Sequence, residues 1–255
     1  MKVRNNKITY SLLYCAAALL TSCLPLPSLD QENAVPDLEQ TSSLMAHYTF
    51  EESCDDLTGN GYAGVEINSP DYLTDTPSGN GHSLKLNGFK NQSVSIPYSL
   101  FNDKMNYSIS LWVKDFSLGV LFSAVNSTNE TYSFPRLVAT DSGTFKFIGH
   151  HDYSGGSYTD DFIYDYTAIQ ADGWHHIVIT SAKKEDYSVT KKLYIDGKLV
   201  STLESQWSEG QAHSMTIGGE VVENTPSVTA KLDNLRLYES TLSADEVNHL
   251  FKNYL

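Results

Sequence analysis

One short stretch limits the fold more than any other. In Leu193-Tyr194-Ile195-Asp196-Gly197-Lys198-Leu199-Val200, two apolar-rich runs flank Asp-Gly. Asp-Gly suits a type I′ turn, whose two central residues both need positive φ, and that turn closes a two-residue β-hairpin. The turn pairs Ile195 with Lys198 and Leu193 with Val200. Period-two alternation recurs from Leu44 onward. Leu44-Met45-Ala46-His47-Tyr48-Thr49-Phe50 is strand-like, and Ile109, Leu111 and Val113 share one face of their segment. Trp174-His175-His176-Ile177-Val178-Ile179-Thr180 is a longer apolar strand. Gly-, Asn- and Ser-rich breaks separate many short strands of this kind, and no internal repeat points to a solenoid or propeller. The pattern predicts an all-β chain, two antiparallel sheets facing across one core.

The single predicted helix closes the chain. Ser243-Ala244-Asp245-Glu246 is a capping box, and Leu242 with Val247 is placed as its hydrophobic staple. Val247, Leu250, Phe251 and Tyr254 follow as one apolar stripe.

The chain opens differently. Lys2, Arg4 and Lys7 precede an apolar run from Ile8 to Leu20, too short to span a bilayer of about 30 Å comfortably. Basic start, short apolar run and small residues describe a secretory signal. Leu20-Thr21-Ser22-Cys23 then resembles the lipobox of bacterial lipoproteins, which implies acylation of Cys23 after removal of residues 1–22. Residues 23–43 read as the lipidated Cys and a flexible linker: Pro25, Pro27 and Pro36 stand among four acids, with no aromatic residue. The globular domain is expected over 44–255. Cys15 leaves with the signal and Cys23 is spent on lipid, so Cys54 has no intrachain partner and reads as a small buried hydrophobe.

Charge narrows the partners. The chain carries 17 Lys+Arg against 31 Asp+Glu, a net charge of -14. It lacks the counterion-release drive of nucleic-acid binding. Loss of the signal removes three bases and no acid, leaving 14 against 31. Such a domain is not drawn to acidic headgroups, so its membrane contact is expected through the lipid anchor alone. Leu24 and Pro25 lack the Asp that would suggest inner-membrane retention. The expected address is the cell envelope, at the outer membrane or cell surface.

Several segments, in order, resemble the laminin-G-like group of the concanavalin A-like lectin/glucanase superfamily. They run from His47-Tyr48-Thr49-Phe50-Glu51 and Asp56-Leu57-Thr58-Gly59-Asn60-Gly61 through Ser83-Leu84-Lys85-Leu86-Asn87-Gly88. Tyr107-Ser108-Ile109-Ser110-Leu111-Trp112-Val113, Gly173-Trp174-His175-His176-Ile177 and Leu193-Tyr194-Ile195-Asp196-Gly197-Lys198 continue the series. Lys231-Leu232-Asp233-Asn234-Leu235-Arg236-Leu237-Tyr238 and Leu242-Ser243-Ala244-Asp245-Glu246 end it. The resemblance implies a jelly roll whose function lives in variable rim loops. It also implies one structural calcium ion, with Glu51, Asn60 and Asp233 at the matching positions and backbone carbonyls near residues 60–62 completing an oxygen shell. Asn234 stands where a second acid is common, which lowers the charge of that set. The other reading is that Asp233 caps a turn and Asn60 adopts a left-handed conformation.

No glycanase pattern is present. Superfamily enzymes place their carboxylates as Glu-x-Asp-x-x-Glu on one strand, and the motif is absent; Asp160, Asp161 and Asp165 lack that spacing. Gly59-Asn60-Gly61-Tyr62-Ala63-Gly64 fits a dinucleotide pattern in letters only, because a strand and not a helix follows. The segment matching the family least is 126–172. Within it His151, Tyr153 and Tyr158 combine rings with polar groups able to stack on and hydrogen-bond a sugar; a solvated loop with one or two packed tyrosines is the plainer alternative. These readings predict a surface-tethered, non-catalytic module for a glycan or a protein partner. A hydrolase of the same superfamily and a structural subunit of a surface assembly are the competing readings.

Overall fold

The computed structural model describes residues 43–98, 105–125, 136–151, 157–170, 173–205, 212, 214–219 and 227–254. Cys23, Tyr153 and the linker lie outside them. In chain order the strands begin β1 (Leu44–Tyr48), β2 (Val65–Ile67), β3 (Asp71–Leu73), β4 (Ser83–Leu86) and β5 (Ser93–Ile96). Next come β6 (Tyr107–Lys114), β7 (Gly119–Val125), β8 (Arg136–Ala139), β9 (Thr144–His151) and β10 (Ser157–Asp165). Then β11 (His175–Lys183), β12 (Val189–Ile195), β13 (Lys198–Ser205), β14 (Ser214–Ile217) and β15 (Ala230–Tyr238) lead to α1 (Ala244–Lys252).

Two antiparallel sheets result. One runs β13-β12-β11-β6-β15-β4-β3, with β1 also paired to β15; the other runs β10-β9-β8-β7-β14-β5-β2. Alternation sends Ile109, Leu111, Ile177, Leu193, Leu235 and Leu237 of the first sheet into the core shared with Val94, Phe122, Leu137, Phe147 and Ile217 of the second. Lys191 is the cation among them, its Nζ 4.8 Å from the Phe147 ring centroid.

The Asp-Gly turn forms as expected, with Asp196 and Gly197 at φ 51° and 74°. Ile195 pairs with Lys198, but Leu193 faces Ser201 in place of Val200. The cause is an irregularity between Leu193 and Tyr194 that adds one residue to the β13 side. The capping box closes as the sequence predicts: Ser243 Oγ accepts from the Glu246 N–H, and Glu246 Oε2 accepts from the Ser243 N–H. Leu242 and Val247 are both buried, with Val178, Tyr194 and Tyr238, in a second small core under the helix.

β1 and β4 share one edge of β15. β4 takes Ala230 to Leu232 and β1 takes Leu235 to Tyr238. Between them Asn234 turns to φ 48°, and the β15–β6 register slips between Asp233 and Arg236. This bulge buries both Asp233 and Asn234.

Candidate functional site

The strand pairing fixes two ends of the sandwich. Tyr238, at one end of β15, faces Leu44, where the described chain enters, and Ser108. Ala230, at the other end, faces Leu86.

One sheet face stands out. On the seven-stranded sheet a single register row crosses five strands: Val65 faces Ser95, Ser95 faces Thr216, Thr216 faces Ser123, and Ser123 faces Arg136. One residue away, the row Val94-Ile217-Phe122-Leu137-Phe147 points into the core. Period-two alternation therefore turns the hydroxyl row outward. Lys146 and Val138 stand opposite each other on the same face. Ser123 and Thr216 are buried near its centre, where Ser123 Oγ donates to the Gly219 carbonyl at 3.0 Å. Ser95, Arg136, Val138 and Lys146 are partly exposed around them. The reachable polar groups of the face are the Ser95 hydroxyl, which donates and accepts, and the Arg136 guanidinium and Lys146 ammonium, which only donate; Ser123 and Thr216 form the buried floor between them. It suits a polyhydroxylated ligand.

The expected ligand loop lies elsewhere on that sheet. His151 faces Ser157 and His150 faces Tyr158 in the β9–β10 hairpin, on the sheet's edge strand. By strand direction this hairpin sits at the end where Leu44 enters. The structure places those backbones and describes no side chain there.

The residues implied for calcium divide. Asp233 is buried, and both carboxylate oxygens lack a hydrogen bond of good geometry. Burial pushes its pKa up to about 7, against the nearby Tyr254 hydroxyl and Asn234 N–H, while the Glu51 carboxylate pushes it up further. Glu51 Oε2 accepts from the His82 N–H at 2.9 Å, where the chain returns toward β4. Glu51, half exposed beyond the end of β1, thus lies near enough to Asp233 to act on its charge. Asn60 is held elsewhere: its side-chain amide donates to the Met45 carbonyl at 2.9 Å, near the opposite end of β1 from Glu51. Among the described residues no group of three His, Cys, Asp or Glu side chains is placed to hold a metal ion. A cation at the bulge would draw the rest of its six to eight oxygens from carbonyls, amides and water.

The adjacent histidines separate across their strand. His175 Nδ1 lies 2.8 Å from Asp196 Oδ2, whereas His176 is buried on the other face with Nε2 2.8 Å from Ser110 Oγ. The His176 ring packs on Trp112 and Phe251. Burial, then the Arg236 charge, holds its pKa down to about 3. Cys54 is a free, buried thiol 3.3 Å from the Tyr72 hydroxyl, and burial pushes its pKa up to about 11. It has no nucleophilic character at neutral pH.

Comparison with known proteins agrees with this architecture. The fourth domain of AbnA, an extracellular arabinanase of Geobacillus stearothermophilus solved with arabinotriose, is 22% identical at a TM-score of 0.54. That match covers 82% of this chain and 98% of the domain. The binding domain of Paraclostridial Mosquitocidal Protein 1 is 18% identical at a TM-score of 0.61, over 83% of this chain and 52% of its own. Botulinum neurotoxin type C, whose cell entry depends on two ganglioside molecules, is 15% identical at 0.62, over 84% and 51%. The chain spans about half of each toxin structure. At these identities the likeness is one of fold. Among curated protein sequences no relative matches. The family model described as concanavalin A-like lectin/glucanases superfamily, of laminin G type, matches residues 87–248, more than half of the chain. The chain belongs to the laminin G-type group of the concanavalin A-like lectin/glucanases superfamily.

Proposed function

We propose that this chain is a non-catalytic carbohydrate-binding module held at the bacterial surface by a lipid on Cys23. The observation that carries the reading is the polar sheet face on which Ser95, Arg136 and Lys146 stand partly exposed around the buried Thr216 and Ser123. A sugar presents many hydroxyls, and polar side chains standing on a rigid sheet meet them at low ordering cost. The structural neighbours that meet arabinotriose and gangliosides support the class of ligand. Cys23, placed after the short apolar run as in a lipobox, and the linker supply the tether in this reading.

The test is retention of the purified domain on an immobilised array of plant, microbial and host glycans, run beside an assay for released reducing ends. Retention without release is the expected result. Release abolished by removing one carboxylate would establish a hydrolase instead. Labelling of the full chain with radioactive palmitate, lost in Cys23→Ala, checks the tether.

We further propose that Glu51 and Asp233 hold a structural calcium ion. A buried acid at the bulge, with a second, exposed carboxylate near enough to act on its charge, fits a hard cation. Asn60 is left out of this set because its side chain lies beside Met45, near the other end of β1 from Glu51.

A further inference from the structure

We propose that Phe89 is the stacking platform for a sugar ring beside the polar sheet face, at the end of the sandwich opposite Leu44. The proposal rests on the carbohydrate-binding reading above. Phe89 is 98% exposed, and its loop is built to hold it there. The Phe89 N–H donates to Asn87 Oδ1 at 3.0 Å, and Asn91 closes the turn at φ 51°. Gly88 donates to Thr229 Oγ1 at 3.0 Å, and a Cβ on it would sit 2.1 Å from the Ser227 carbonyl oxygen. Gln92 is buried beneath, accepting from the Asn87 N–H at 2.9 Å and donating to the Ser69 carbonyl at 2.7 Å. A ring presented to water on so braced a turn contributes nothing to the core. It is preorganised for a contact.

Its surroundings decide the occupant. The loop runs directly into β5, whose Ser95 belongs to the hydroxyl row. Asn68 Nδ2 donates to the Asn91 carbonyl at 2.8 Å, which brings the exposed Ile67 of β2 beside the same turn. Ring, flanking amides and the adjacent Lys90 form an apolar face edged by hydrogen-bonding groups, the arrangement that a pyranose or furanose ring meets. Phe89 with Ile67 and Val65 offers a few hundred Å² of apolar surface. A stable protein pair buries roughly 800 Å² on each side, more than this patch holds. A membrane is disfavoured because one lysine stands against a net charge of -14.

Strand pairing fixes the end of the sandwich on which the loop lies. Leu44 enters at the Tyr238 end of β15, whereas Leu86, two residues before Gly88, pairs at the Ala230 end. The nine-residue strand separates them by roughly 25 Å at 3.4 Å per residue.

Phe89→Ala and Phe89→Trp test this by titration calorimetry with whichever oligosaccharide the wild-type domain retains on the glycan array. The ring's exposure leaves the melting temperature of both variants unchanged. Weakening of about tenfold in Phe89→Ala, with Phe89→Trp restoring affinity, is the expected result. Equal affinity of Phe89→Ala and wild type overturns the platform and leaves the carbohydrate reading standing. Absence of any retained glycan overturns both. Co-sedimentation of the wild type with phosphatidylglycerol vesicles, lost in Phe89→Ala, replaces the sugar with lipid and overturns the assignment.

Discussion

His176 should set the acid limb of this protein's stability. It is 1% exposed, its ring wedged between Trp112 and Phe251, and its pKa is held down to about 3 by burial and by the Arg236 charge. In the unfolded chain it titrates near the ordinary histidine value of 6.5. Below that value the unfolded state takes up a proton that the folded state refuses, so stability falls as pH drops through 6.5 and toward 3. Each pH unit in that window costs about 1.4 kcal/mol, so the step from pH 7 to pH 5 removes roughly 2 kcal/mol. His176→Phe keeps a ring on Trp112 but cannot take a proton; it gives up the Ser110 contact at a cost of about 1 kcal/mol, independent of pH. Urea unfolding of both proteins at the two pH values isolates the effect, because every other titrating group is common to both. The wild type should lose about 2 kcal/mol more than the variant on acidification. Parallel losses, within about 0.5 kcal/mol, would refute the reasoning.

Three further outcomes follow from the same structure. Asp75 accepts from Lys114 and Trp174 at 3.0 Å and from Lys231 at 2.7 Å, which outweighs the opposing burial and holds its pKa down to about 2. Its stabilisation is present above 3.8 and lost as pH falls toward 2; its partial exposure limits the cost of Asp75→Asn at neutral pH to about 1 kcal/mol, checked by urea unfolding at pH 7 and pH 3. Gly218 has φ 83°, and a Cβ there would lie 2.0 Å from Leu86 Cδ1, so Gly218→Ala should cost about 2 kcal/mol or more in thermal unfolding. Calcium should raise the wild-type melting temperature and chelator should lower it; Asp233→Asn should abolish that dependence while folding normally, and equal calcium shifts in both proteins would count against the bulge as the site.

Period-two alternation, the Asp196-Gly197 turn and the Ser243 capping box are local signals, and each produced the element it predicts. Sequence also placed Ile109, Leu111 and Val113 on one face, and all three enter the core. The Leu193–Ser201 pairing was not legible, because a bulge is decided by packing against neighbouring strands. The hydroxyl row was hidden for a related reason. Ser95, Ser123, Thr216 and Arg136 lie on four strands with no sequence periodicity linking them, and only the register of β5, β14, β7 and β8 sets them side by side. Asn60 and Asp233 carried the right residue types for a cation, but the sequence did not reveal that the Asn60 side chain sits beside Met45, at the other end of β1 from Glu51. Phe89 left a signal that only structure could weigh. An aromatic residue in a Gly-Asn turn is unremarkable until its ring proves wholly exposed on a braced loop.

Amide chemical shifts of isotope-labelled domain, followed while the array-selected oligosaccharide is added, test the central reading most directly. The reading predicts shifts concentrated at Ser95, Ser123, Thr216 and Arg136 and extending to Phe89, with the α1 face silent. Shifts confined to α1 or the β11–β12 face would contradict it.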